Sequence, residues 1–162
     1  MKTENHKIKF ALFVSAFFLM SNFMAQSDLL KLLPGSRKAN YYENNDLLKL
    51  EGNVHFEYQG NTMSCDSAYY FEKKRIVHAY GKVHIIKDRI NMFCDSAFFN
   101  GKAERAKLWG NVRVRDLDYR LTTDSLEYIS SSGRAIYRNY GTIKKNGSNE
   151  MIVSKVGYFY PE

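Results

Sequence analysis

The chain reads as an all-β protein that repeats one unit of two bent strands into an open antiparallel sheet. Three observations say so. The stretches CDSAYY at Cys65–Tyr70 and CDSAFF at Cys94–Phe99 are near copies, and a third, TDSLEY, stands at Thr123–Tyr128. Gly52, Gly81, Gly110 and Gly141 recur at separations of 29, 29 and 31 residues. Around these glycines apolar and polar residues alternate with period 2, the mark of a strand with one buried face.

The start of the chain is a different kind of segment. Lys2, Lys7 and Lys9 precede an apolar run from Phe10 to Met20, followed by small and polar residues up to Ala25. This is the layout of a secretory signal peptide over residues 1–25, with cleavage expected before Gln26. The run is shorter than the roughly 20 residues of a membrane span; extended through Phe23–Met24 it admits the alternative of an uncleaved anchor. Loss of the segment lowers the formal charge from +7 to +5, so the exported chain stays basic. A basic exported protein favours anionic partners such as phosphate-bearing head groups, and nucleic acid is not an expected partner. Residues 26–40 form a lead-in, with one helical turn expected over Ser27–Leu33 and ended by Pro34-Gly35. Residues 41–162 form the repeat domain.

Within a unit the first strand crosses its glycine. Val77, Ala79, Val83 and Ile85 share one face in one copy, and Ala106, Leu108, Val112 and Val114 share it in the next. A mid-strand glycine permits a sharp bend. The second strand points Met63/Cys65, Met92/Cys94, Leu121/Thr123 and Ile152/Ser154 inward. Past the Asp-Ser pair the apolar phase slips to Ala68/Tyr70, Ala97/Phe99 and Leu126/Tyr128, which predicts a bulge at Asp66, Asp95 and Asp124. Their recurrence along a stack suits capping of backbone amides, not acid/base catalysis, which needs two carboxyls converging on one bond. Short turns rich in Gly, Asn, Asp and Ser make neighbouring strands antiparallel. Cys65 and Cys94 then stand two strands apart, about 9–10 Å, beyond disulfide reach. Free buried thiols are expected.

The candidate binding residues are the inward column Leu50, Val54, Phe56, Met63, Val77, Val83, Ile85, Met92, Phe99, Leu108, Val112, Val114, Leu121 and Leu126. Two readings fit it equally: a groove for apolar chains, or a packed core between two sheet halves. Met63 and Met92 suit a variable apolar ligand because methionine adapts its shape. His55, His84, Arg113 and Lys144, each three residues past its glycine, are expected as one outward, solvated column. Tyr80, Trp109 and Tyr140 are expected to pack on one another over the crease. No nucleophile–base pair, phosphate loop or metal-ligand spacing occurs, so neither enzyme activity, a cofactor nor a metal is expected.

The stretches EGNVHFEYQGNTMSCDSAYY, YGKVHIIKDRINMFCDSAFF and WGNVRVRDLDYRLTTDSLEY, following a signal segment, resemble the OstA/LptA family of lipopolysaccharide-transport proteins, over about Tyr41 to Tyr160. The resemblance implies a sheet folded into a half-open jelly roll, or β-taco, whose interior holds the acyl chains of lipid A. It also implies a periplasmic location and end-to-end stacking with other such domains, or with further copies, by edge-strand addition. It favours the groove over the dry core. Two alternatives stay open: an accessory subunit of the same machinery anchored in the inner membrane, and a ligand-free β-repeat scaffold. The chain departs from the pattern at Lys145 and Lys155 in the fourth copy, and the final stretch Ile152–Glu162 is expected to offer a docking edge.

Overall fold

The computed structural model describes residues 30–160 other than 43 and 45, so the expected signal peptide and its cleavage point lie outside the described residues. Twelve strands form one antiparallel sheet: β1 (Lys31–Leu33), β2 (Lys38–Tyr42), β3 (Leu47–Tyr58), β4 (Asn61–Phe71), β5 (Ile76–Lys87), β6 (Ile90–Asn100), β7 (Arg105–Arg115), β8 (Tyr119–Ile129), β9 (Arg134–Tyr137), β10 (Gly141–Lys145), β11 (Met151–Ser154) and β12 (Gly157–Phe159). Strands β3 to β8 pair in sequence order. Each long strand bends midway, so the sheet folds over itself into two halves. β1, β10 and β11 extend the half that ends at the 59–60, 88–89 and 116–118 turns, whereas β2, β9 and β12 extend the other. Inward side chains of both halves make one core, from Leu50 through Leu108 to Phe159. The half-open jelly roll is the observed architecture.

The bend has a specific backbone cause. At Gly52-Asn53, Gly81-Lys82 and Gly110-Asn111 both residues take left-handed φ, between +48° and +76°. Glu51 pairs with Ser67 and Val54 with Cys65, so Gly52 and Asn53 together stand against Asp66 alone. The apolar phase slips at Asp-Ser as read from the sequence: β4 buries Met63 and Cys65, then Ala68 and Tyr70. The extra residue of the bulge, however, lies across from Asp-Ser, on the glycine strand. Left-handed φ is nearly free for Gly and tolerable for Asn, so that strand absorbs the irregularity. A Cβ on Gly81 would lie 2.6 Å from Asp66 Oδ2, and one on Gly110 2.5 Å from Asp95 Oδ2. Aspartate and glycine therefore recur together because each carboxylate packs over the next unit's bare Cα. Asp95 accepts a hydrogen bond from Asn111 Nδ2 at 2.7 Å, a side-chain amide where a backbone amide was expected.

The fourth copy corrects the sequence alignment. Thr123 pairs with Gly141, whereas the equivalent Cys94 stands beside Val112, next to the Phe93–Arg113 pair. The structural frame keeps its 29-residue step, so Gly141 fills the place of Val112 and Asn139-Tyr140 that of Gly110-Asn111. Tyr140 keeps the left-handed φ of Asn111, at 55°. The ring of buried Tyr137, the equivalent of Leu108, fills the space: a Cβ on Gly141 would meet it at 2.6 Å. Lys144 consequently leaves the row of His84 and Arg113 and pairs with Arg120.

Other expectations change at the ends and on the surface. The lead-in is not a helical turn where it is described, since Lys31–Leu33 is strand β1, paired to β3. Ile152 pairs with Ile143 on the inward column but is 63% exposed, because no strand of the other half covers it among the described residues. Tyr80, Trp109 and Tyr140 are exposed and do not stack on one another; Tyr80 instead meets Tyr69 edge-on at 6.1 Å. Equivalent residues two strands apart, about 9–10 Å, are too far for ring contact.

Candidate functional site: the interior cleft

Twelve of the fourteen inward residues are buried, and Ile85 and Phe99 are half-buried against the same cluster. Leu50, Val77, Leu108 and Leu121 are fully shielded. The strands achieve this because every second residue faces inward on both sides of the bend. Phe56 meets Tyr70 edge-on at 5.5 Å, and Tyr58 meets Phe99 at 5.2 Å, closing the halves onto each other.

The open side of the fold is a slit held by contacts that repeat with the unit. Tyr58 Oη donates to the Gly101 carbonyl at 3.0 Å, and Lys87 Nζ donates to Ser130 Oγ at 3.2 Å. Both pairs span 43 residues, and the second is the first advanced by 29 along the chain. Phe159, 29 residues past Ser130, meets the Tyr119 ring at 6.5 Å instead of a latch at the matching position 116. Between the two latches an apolar cavity of about 70 Å³ opens, walled by Leu30, Phe56, Met63, Met92, Phe99 and Tyr128. That exceeds the space for one water but not for an acyl chain. Lys87 stands on its rim 5.4 Å from the centre of the Tyr128 ring, and makes no ion pair among the described residues.

The cysteines sit in the crease. Both are free and buried, with β5 running between them and Val83 paired to Cys94. Burial pushes the Cys65 thiol up to about 11 and the Cys94 thiol up to about 12, so neither forms the reactive thiolate at neutral pH. Cys65 Sγ donates to the Ser67 carbonyl at 3.2 Å, and Thr123 Oγ1 makes the matching contact to Ser125 at 3.3 Å. These positions satisfy polar groups at the bend; they are not nucleophiles.

Of the fourteen inward residues Phe56, Met63, Ile85, Met92 and Phe99 line the apolar cavity and the other nine pack in the core, while sequence reasoning missed the rim. Tyr58 continues the inward period one step past Phe56, so its position was readable. Lys87, Gly101, Glu104 and Ser130 carry no apolar signal, and only their turn residues marked them. His55, His84 and Arg113 do share one row, but the two histidines are half-buried and hydrogen-bond Asn53 and Asn91 at 3.0 Å each. His84 stacks on Phe93 at 4.3 Å.

Comparisons agree with this geometry. A family model described as OstA-like protein matches residues 28–162. A search of curated proteins finds no match. Among solved structures, the crystal structure of LptH from Pseudomonas aeruginosa, described as the LptA-homologous periplasmic component of the conserved lipopolysaccharide transport device, superposes with a TM-score of 0.57. It is 10% identical, over 65% of this chain and 78% of that one, a likeness of fold.

Proposed function

The chain belongs to the OstA-like protein family, a non-enzymatic one, and on that premise we propose that it is a periplasmic carrier that shields the acyl chains of lipopolysaccharide between its two sheet halves. The observation that carries the reading is a continuous apolar interior whose outlet is held by a few latches. The fourteen inward residues, Leu50 to Leu126, are the proposed lining. An acyl chain enters when the Tyr58–Gly101 and Lys87–Ser130 contacts part. Each such hydrogen bond contributes about 0.5–1.5 kcal/mol net. Each buried methylene returns about 0.8 kcal/mol, so a short length of chain offsets both latches. The basic net charge and the signal-peptide layout support export toward anionic lipid, and the LptH likeness supports the pathway. Detection of mature protein beginning at Gln26 would exclude the anchored alternative.

The open ends support assembly by strand addition. β11 presents Met151, Ile152 and Val153, all about 60% exposed, on an edge that no strand pairs among the described residues. The N-terminal edge is interrupted at Pro34 between β1 and β2, which limits pairing there. A dry scaffold is the second reading, favoured by the small cavity. Native mass spectrometry of the mature protein from its own periplasm, with lipid extraction, separates the two. Co-purifying lipid A supports the carrier. Lipid-free protein that also refuses added lipopolysaccharide leaves the scaffold.

A further inference from the structure

On the outer face of the sheet, at the rim of the C-terminal half, three cations stand in register. Arg115 pairs directly with Arg120 across the ladder, and Arg120 pairs with Lys144. Neighbouring strands lie about 4.8 Å apart, so the three form one row. Like charges placed directly opposite are destabilising in a sheet. None of the three makes an ion pair among the described residues. Lys145, next along β10, points to the opposite face of the pleat and pairs with the exposed Glu150 at 3.8 Å.

Beside this row is a polar cavity of about 280 Å³, lined by Arg120, Lys144, Lys145, Asn146, Ser148 and their turn. Its frame is held by the neighbouring turn. Asn146 N donates to the Asp118 carbonyl at 2.7 Å, and Asn146 Nδ2 donates to the Leu117 carbonyl at 2.8 Å. The nearby Asp116 is tied to its own turn through Oδ1, which accepts from the amides of Asp118 and Tyr119 at 2.9 and 2.6 Å. Ser148 Oγ accepts from Glu150 N at 3.0 Å, which leaves its proton for a ligand. A basin flanked by two cations of one face, Arg120 and Lys144, with a hydroxyl donor has the chemistry of an oxyanion site.

We infer that Arg120 and Lys144 bind a phosphate group, with Arg115 extending the site along the ladder. Inorganic phosphates and the phosphomonoester head group of a lipid share this chemistry. The inference is independent of what fills the interior cleft. It locates an anion site outside that cleft, on the outer face of the sheet.

The test uses the full chain after export. Flotation measures binding to phosphatidylcholine vesicles with and without phosphatidic acid, and calorimetry measures binding of inorganic pyrophosphate. Arg120→Gln with Lys144→Gln is compared with Lys74→Gln and Lys107→Gln, which remove the same charge elsewhere. Each lost charge-assisted bond is worth roughly tenfold in affinity or more, so the site variant should bind at least about tenfold more weakly than the control. Retention of binding by Lys144→Arg would show that charge at this place is what matters. Pyrophosphate binding that competes with vesicles assigns the site to phosphate in any form; vesicle binding without such competition assigns it to the lipid-borne head group. Equal losses in the site and control variants, or wild-type protein that binds neither probe, would overturn the inference.

Discussion

From β3 to β8 each strand runs unbroken for 11 or 12 residues through its bend, whereas the frame after Ile129 is cut into β9 to β12, of three to five residues each. Both regions keep the 29-residue step as far as β10. In the body, a Gly-Asn or Gly-Lys pair supplies two left-handed residues while the ladder continues on both sides. In the end copy Asn139-Tyr140 takes that place, and the strand breaks there. Core volume is redistributed as well. Tyr137 fills the room of a leucine and a valine, with Gly141 and Gly157 bare beside its ring and its hydroxyl 2.6 Å from Ser154 Oγ. The comparison teaches that the bend, not the pairing, is what the glycine motif encodes.

The largest effects should come from the core. Leu108→Ala and its structural equivalent Tyr137→Ala should each cost about 3–4 kcal/mol by urea denaturation, as large-to-small changes at buried sites do. A Tyr137→Ala cost under about 1 kcal/mol would instead mean that the end strands fold as a loosely attached flap. Next comes the bend. Gly110→Ala meets both a left-handed φ of +72° and the Asp95 carboxylate, so about 2–3 kcal/mol is expected. Gly147→Ala meets the φ penalty alone, in open space, and should cost about 1 kcal/mol. Equal costs at the two glycines would show that the aspartate contact is immaterial.

A third contrast concerns the edges. Ile152→Lys should leave stability within about 0.5 kcal/mol, because the side chain is exposed. It should nonetheless reduce concentration-dependent association in sedimentation experiments, since an edge lysine opposes strand addition. Unchanged association would move the docking surface away from β11.

The last contrast, confined to alkaline conditions, is a pH dependence of the crease. The folded thiols of Cys65 and Cys94 titrate higher than unfolded ones, so they are neutral in both states below about pH 8.5, and their contribution is fully present there. It is lost as pH rises toward about 11 and about 12, where the unfolded chain releases its protons first. Cys65→Ala with Cys94→Ala should therefore flatten the alkaline limb of a stability–pH curve. A limb that keeps its slope would assign alkaline unfolding to other groups.

The sequence by itself determined the repeat, the strand alternation, the inward column and the need for glycine at the bend, because each follows from the pleat and from local φ. The phase slip at Asp66, Asp95 and Asp124 was legible for the same reason. Which strand held the extra residue was not, since a phase slip looks alike from either side of a ladder. The fourth copy misled for a related cause: Gly141 is conspicuous as a letter, but its place is set by pairing with Thr123 and by the bulk of Tyr137. Only the tertiary structure decided the latches from Tyr58 to Gly101 and from Lys87 to Ser130, the exposure of β11, and the meeting of Arg115, Arg120 and Lys144. Those depend on how far the two halves close and on the register between strands. Neither quantity is written in any local stretch of chain.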